Sequence, residues 1–587
     1  MERDDHYDVV ILGGGLAGLA LARQLLLETD KTILLLERLT ELPPARQKVG
    51  ESSVQVGGYY YSRVLDLEEY LLREHYMKYN LRFYWRSPGL ANTRFEDYSQ
   101  GYIRNFSNVP SYQINRNTFE AELLRRNRES ERFSIRLGVR NVDETLSENG
   151  PHSVRFVVGE QERPAEVQCH WLVDTTGRHR LLARRRQMRR QNEIRHGSFW
   201  WWVDGLVDVD RLSDRPHKEL RKKTQRRAQG HLPSWLATNH FCDEGLWFWV
   251  IPLQGLTSLG LVYDRAVVDH DDVFSVEKAT RWVCERFPCL ARDLPDRKVL
   301  DFGGLKDYSH DCVQTLSASR WAIAGEAGRF TDPLYSPGSD LIAIYNTLIV
   351  DAIRSDPAEL GAKCQLYEQL MRVVYQAYLP SYARAYDVLG DHETFCLKYT
   401  WELSIYFAFY VFPFINDLFT ERHFLPGFFR NFARLGPLNE GLQSLLSGYY
   451  RWKKATGRPA GKQPVFFDFT EIATLRRAEK TFYQVGVSVS EAKDVLRQQL
   501  ASIEELARFI VAHVSAVVVG DQRVTTNASF VAGIDIDAID FDPDAMRARW
   551  QQCAGSGEVH KWTLDPTVLA RFHAARADEP VGARQPA

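Results

Sequence analysis

The 587-residue sequence predicts a mixed α/β (α+β) protein, and three features carry that prediction. An apolar run, Val9 to Leu12, leads directly into "GGGLAGLALARQLL", where a glycine pattern opens a helical apolar face. Aromatic-rich, strand-like runs fill the region from 81 to 264, and helical patterning dominates after Asp340. The length exceeds one ordinary core. It divides into a nucleotide-binding module at 1–355 with an interleaved sheet at about 55–112 and 196–300, a mostly helical region at 356–570, and a tail at 571–587 expected to be disordered.

The first forty residues carry the strongest local signal. Gly13 permits a tight turn, Gly15 lets backbone approach a pyrophosphate, and Gly18 lets the helix pack on the strand. The helix N-terminus offers unpaired N–H groups and a positive dipole end to phosphates. "TILLLER" supplies a second strand, and Glu37 at its end is placed to accept from an adenosine ribose. This is a Rossmann-type unit; FAD and NAD both fit it.

Two later segments favour FAD. "HWLVDTTGRHR" is an apolar strand running into Asp174 and Gly177 at a turn, and "RWAIAGEAGRFTDPLYSPG" is another, delivering Gly325, Glu326 and then Asp332. Three such strand-to-turn elements resemble the FAD fold of the aromatic-hydroxylase superfamily. The resemblance implies that Glu326 meets the ribityl chain, where aspartate is commoner, and that Arg46 in "ARQKVGES" and Arg116 in "YQINRNTFEAELL" contact the flavin.

Strand-like runs follow at 81–86, 101–106, 198–205, 246–253 and 257–264, read as an antiparallel sheet roofing the flavin. In "WFWVIP", Trp247 and Trp249 are two apart and share one strand face. Pro252 lacks an N–H and fits where a strand stops or lies at an edge. This hexapeptide resembles the WxWxIP signature of flavin-dependent halogenases. "KVGESS" and "HYMKYNLRFYW" are similar to further family segments, and the second implies that Lys78 is the active-site lysine. The resemblance covers roughly residues 1 to 400.

Membership would imply a flavoprotein in which reduced FAD and oxygen convert halide to hypohalous acid, which travels through a tunnel to a lysine and an aromatic substrate. It would also imply a separate flavin reductase, since no second nucleotide fingerprint is evident. The loop "TDPLYSPGSD" departs from the family pattern. Ser336-Pro337-Gly338 stands where consecutive N–H groups are thought to cradle chloride, and proline has none. Gly338 and Ser339 N–H groups or the Ser336 hydroxyl would compensate, and bromide would suffer less than chloride. Tyr335 replaces the glutamate of tryptophan-acting members, which favours a phenol or pyrrole, free or carrier-bound, over an indole. Tyr335 either contacts that substrate or packs. Pro337 keeps open a second reading, a non-halogenating flavin oxidase, dehydrogenase or monooxygenase on the same fold; a flavin-binding scaffold without turnover is a third.

The whole-chain numbers bound these readings. Apolar residues make up 44%, charged residues 26%, and the net charge is −2, so no global charge excess points to nucleic acid. The arginine-rich runs at 184–190 and 221–227 read as solvated faces. Eight cysteines form no CxxC pair, which argues against a zinc site or disulfide framework and fits a reduced, cytoplasmic setting. The acidic N-terminus enters a strand directly, unlike a secretory signal. "LSIYFAFYVFPFI", Leu403 to Ile415, is too short to span a bilayer, which takes roughly 20 apolar residues, and reads as a buried helix lining an apolar channel. The stretch at 453–464 reads as a basic loop, and 488–514 as a helical pair with Ser490 as N-cap.

Overall fold

The computed structural model describes residues 5–214, 233–457 and 463–573. The arginine-rich run at 221–227 lies outside the described residues, as does the tail from 574. Two large sheets and a helical layer make up the rest.

The first sheet orders its strands Leu316–Ser317, Trp321–Ile323, Arg163–Asp174, His6–Leu12, Ile33–Leu36 and Phe133–Arg136. The four joins from Trp321–Ile323 to Phe133–Arg136 are parallel. Such strands are buried on both faces and read as continuous apolar runs, as "VVIL" and "ILLL" do. The register aligns Leu12 with both Leu36 and Asp174, and Asp174 with Ile323. All three strand-to-turn elements therefore end at one edge, where open α/β sheets bind ligands. Helix α1 (Leu16–Glu28) leaves that edge, and α2 (Arg116–Arg128) packs beside it with Asn115 as its N-cap.

The second sheet runs Val299–Leu305, His196–Asp204, Leu256–Asp264, Leu246–Leu253, Thr238–Asp243, Leu81–Arg86, Tyr98–Gly101 and Phe466–Phe467. It is not wholly antiparallel: Thr238–Asp243 pairs with Leu81–Arg86 in parallel, as does Phe466–Phe467 with Tyr98–Gly101. Of the run at 101–106 only Gly101 is strand. Both faces are covered, so period-two alternation sorts side chains between two cores rather than between core and water. Trp200, Trp202, Trp247 and Trp249 face the main core, while Phe199, Trp201 and Phe248 face a second one. Pro252 pairs only with Thr257, beyond the point where the neighbouring strand at 238–243 has ended, so its missing N–H breaks no ladder there.

Five long helices build the C-terminal layer: α3 (Pro337–Arg354), α4 (Pro357–Ala383), α5 (His392–Tyr406), α6 (Leu425–Ala455) and α7 (Val489–Val519). Residues 403–415 are helical and largely buried, with a π turn at Phe407–Val411. The segment from 488 is one helix of 31 residues, not a pair, because no glycine or proline interrupts it before Gly520, which ends it at φ +80. Its N-cap is Ser488, in a capping box with Glu491, rather than Ser490. Lys453 belongs to α6, not to a loop: its buried Nζ lies 2.7 Å from Asp391 and 2.8 Å from Glu393. Glu393 also takes His513 and His573 at 2.7 Å each, which ties α5, α6, α7 and the last described turn together. Cysteines are free throughout the described residues. Among those residues no helix is long and apolar enough to cross a membrane.

Candidate active site

The aligned strand ends open into a cavity of about 1180 Å³ including its mouth, running from Leu16 and Gly325 to Trp247 and Trp249. Its glycines have distinct reasons. Gly13 has φ +106 and an added Cβ would sit 2.6 Å from Thr175 O; at Gly18 it would sit 2.2 Å from Gly13 O. At Gly15 it would meet nothing within 4 Å, so that backbone faces open space, as a pyrophosphate requires. Gly325, with φ +61, brings the third turn alongside Ala17.

Polar groups around this cavity fit a dinucleotide. Glu37 Oε2 accepts from Gly14 N at 2.6 Å and Oε1 from Leu39 N at 2.8 Å, which sets the carboxylate over the glycine loop with lone pairs left for a ribose. Arg116 donates to Val49 O at 2.9 Å and pairs with Glu120 at 2.5 Å, so its guanidinium is fixed at the cavity wall. Glu326 is exposed and lines the cavity. These groups would hold FAD.

Three predicted cofactor residues sit elsewhere. The Asp174 carboxylate is taken up by Thr176 N at 2.8 Å and Leu182 N at 2.7 Å, so it shapes the second turn from beneath. Asp332 is fully buried and accepts from Tyr308 at 2.8 Å and Leu334 N at 2.9 Å, with His196 Nδ1 at 2.7 Å. It anchors the loop that follows and is not free for a ligand. Arg46 points outward and donates to Phe302 O at 2.8 Å. Pro252 lines neither large cavity.

The loop 335–340 is a partition. Ser336, Gly338 and Ser339 line the nucleotide cavity, whereas Tyr335, Pro337 and Asp340 line a second, mainly apolar cavity of about 1010 Å³ including its mouth. Consecutive left-handed residues, Tyr335 at φ +68 and Ser336 at φ +61, turn the chain so that neighbours face opposite ways. Pro337 is the first residue of α3, where a backbone N–H has no intrahelical partner anyway. Gly338 and Ser339 follow in the same first turn, whose N–H groups likewise lack intrahelical acceptors. Trp247 and Trp249 stand across the nucleotide cavity, with indole N–H groups on Tyr386 at 2.6 Å and Ser258 at 3.1 Å.

Lys78 lies in the same wall. It is buried, lines the apolar cavity, and donates to Ser52 Oγ at 3.1 Å; Ser52 lines the nucleotide cavity. Ser52 continues to Thr238 Oγ1 at 3.0 Å, which accepts from Gln113 at 2.7 Å. Burial lowers the Lys78 ammonium to about 7, against a partial upward pull from Asp340. Burial raises Asp340 to about 7 although it accepts from Gly57 N and Tyr406, both at 2.7 Å. His240, on the nucleotide side, is held down to about 3 by burial and is neutral.

Sequence reasoning missed Ser52, Asp340 and Glu402 as site residues. Ser52 sits in the quoted "KVGESS" and Asp340 in the first turn of the α3 pattern, but their partners lie 26 and 283 residues away in the chain. Glu402 borders the aromatic segment, and its carboxylate joins the wall of the apolar cavity.

No family model matches the chain. It is similar to the flavin-dependent halogenase chlA of Dictyostelium discoideum, 24% identical across 71% of this chain and 74% of that protein. A Pseudomonas fluorescens 1H-pyrrole-2-carbonyl-[peptidyl-carrier protein] chlorinase is 24% identical across 57% and 73%. Among solved structures, the halogenase PltM superposes with a TM-score of 0.58 at 17% identity, over 85% of this chain and 96% of that one; another of its structures holds phloroglucinol and FAD.

Proposed function

We propose that the chain is a flavin-dependent halogenase, as its similarity to FAD enzymes of that family supports, and that it halogenates an electron-rich aromatic of phenol or pyrrole type. The observation that carries this reading is Lys78, a buried amine in the wall between a nucleotide cavity and an apolar one. Bound as FADH2, the flavin supplies the two electrons by which oxygen becomes an oxidant for chloride or bromide.

The chain's own residues do the rest. Trp247 and Trp249 wall the nucleotide cavity with apolar surface. The first turn of α3 offers Gly338 and Ser339 N–H groups and a positive dipole end to the halide on the cofactor side. Lys78, lowered to about 7, presents a neutral amine for part of the time. That amine either holds HOX by hydrogen bond or exchanges a proton for halogen, R–NH2 + HOX giving R–NHX and water. Transfer to the ring, R–NHX + ArH giving R–NH2 and ArX, restores it. Because the proline sits at the first helical position, the loss of its donor leaves the next two in place. The non-halogenating oxidase, dehydrogenase or monooxygenase reading thereby loses its main support.

The test supplies the chain with FAD, a separate flavin reductase, NADH, oxygen and chloride or bromide. Phenols (phloroglucinol among them), pyrroles free and carrier-bound, and indoles serve as acceptors, read by mass spectrometry. Halogen incorporation into phenols or pyrroles is expected. Halide-independent oxidation of the same acceptors would overturn it.

A further inference from the structure

We propose that Glu402 and Tyr335 recognise the hydroxyl of a phenolic substrate, Glu402 accepting its proton and Tyr335 donating to its oxygen. This rests on the halogenase reading for what happens next, but the binding it describes stands on its own geometry.

Both residues line the apolar cavity that Lys78 faces. Glu402 lies on α5 one turn after Lys398, which is fully buried. Lys398 Nζ donates to Glu402 Oε1 at 2.5 Å, to Ser381 O at 2.7 Å and to Gln443 at 3.0 Å; Gln443 Nε2 returns to the same Oε1 at 3.0 Å. One carboxylate oxygen is thus pinned. The other, Oε2, is buried and has no hydrogen-bond partner. A buried carboxylate oxygen without a donor is costly, and this one belongs to a residue that lines the cavity, within reach of a ligand donor.

Tyr335 presents the complementary atom. Its hydroxyl is also buried and unpartnered. Burial, with the Glu402 charge beside it, holds the phenol well above its ordinary range, so it stays a donor. The carboxylate acts on it through charge and through a side-chain hydrogen-bond contact that falls short of good geometry, so the two groups are neighbours that a ligand hydroxyl would bridge. The ring is fixed edge-on against Phe83 at 6.2 Å and tilted against Tyr399 at 5.0 Å between centroids. The left-handed pair Tyr335-Ser336 delivers it to this side of the partition, a strained conformation of the kind that persists at ligand sites.

The two orphan atoms together select a chemistry. A phenolic O–H gives a proton to Glu402 Oε2 and accepts from Tyr335 at one atom. A pyrrole N–H satisfies only the carboxylate, and an aryl methyl ether satisfies only the tyrosine while sealing the carboxylate oxygen away from water. Sites built to bond a hydroxyl reject analogues that lack it far more strongly than apolar pockets reject a methyl group. The phenol branch of the proposed substrate class is the one these residues fit.

The experiment measures binding to the FAD-loaded protein by titration calorimetry, with 4-propylphenol and 4-propylanisole as probes. Binding of the phenol at least about tenfold tighter than the ether is expected, the scale of one hydrogen bond to a charged group. Tyr335→Phe and Glu402→Gln should each shrink that ratio at least about threefold. Glu402→Gln leaves Lys398 without its counter-ion; if that variant does not fold, Tyr335→Phe and the ether comparison on unaltered protein decide alone. Equal binding of phenol and ether, no measurable phenol binding, or an unchanged ratio in Tyr335→Phe would overturn the proposal. Discrimination without halogenated product keeps this inference and removes the halogenase reading; halogenation without discrimination does the reverse.

Discussion

Lys78 Nζ donates to Ser52 Oγ across 3.1 Å, and the two residues open onto different cavities. The contact crosses the partition between the two cavities, where the oxidant of the proposed reaction would pass. Lys78→Ala should leave FAD affinity within about twofold of wild type and reduce halogenated product by about 10²-fold or more, the scale of a lost positioned acid–base group. Lys78→Arg should be equally inactive, because a guanidinium stays charged. Fluorescence titration of FAD and product analysis check both, and full activity of either variant removes Lys78 from the mechanism.

Stability should pass through a minimum near pH 7. Asp340 is raised from 3.8 to about 7, so between those values the folded chain binds the extra proton and stability falls as pH rises. Lys78 is lowered from 10.5 to about 7, so above 7 the unfolded chain binds the extra proton and stability rises with pH. Urea denaturation from pH 4 to 10 should lose its falling limb in Asp340→Asn and its rising limb in Lys78→Met, each worth on the order of a few kcal/mol.

The same pair sets a kinetic prediction. Asp340 pulls the Lys78 ammonium upward against burial, so Asp340→Asn should lower it further. Wild-type kcat/KM is expected to rise with pH as the Lys78 ammonium, lowered to about 7, loses its proton, and in Asp340→Asn that rise should move toward acid. A limb that stays in place would detach Asp340 from Lys78.

Two glycine variants separate folding from cofactor binding. Gly18→Ala puts a methyl 2.2 Å from Gly13 O and should yield little folded protein. Gly15→Ala meets nothing within 4 Å and should fold with a melting temperature within a few degrees of wild type. Its FAD affinity should nevertheless fall, because the added methyl occupies the approach to the pyrophosphate.

Halide affinity is open to improvement. Pro337→Ala adds an N–H at the first turn of α3 beside those of Gly338 and Ser339. One charge-assisted hydrogen bond should lower the half-saturating chloride concentration by about tenfold. Bromide, less strongly hydrated, should gain less.

The nucleotide lobe was legible because its signals are local: a strand, three glycines and a helix within 23 residues, with Glu37 at the end of the next strand. The tryptophan pair was legible for the same reason, since two-residue spacing alone puts Trp247 and Trp249 on one face. Asp332 and Asp174 were read as ligands because acids after a strand commonly are, yet each is consumed by donors brought in by the fold, such as His196 and Leu182. Arg46 is drawn outward by Asp301 and Phe302, more than 250 residues away. Asp340 and Glu402 escaped notice because their meaning comes from Gly57, Tyr406 and Lys398 packed around them, and from a cavity that composition does not reveal.

The wall of the apolar cavity draws Tyr378 and Tyr382 from α4 and Tyr399 and Glu402 from α5, whereas the glycine loop, Glu37 and Arg116 all belong to the first 130 residues. The division is partial, since Lys78 and Leu81 from the first 130 residues also line the apolar cavity and Trp247, Trp249 and Glu326 line the nucleotide one. Exchanging residues 357–406 for a relative's would accordingly rebuild much of the acceptor wall, provided Tyr386 and Glu368 are kept, because they hold Trp247 and Arg329 on the cofactor side.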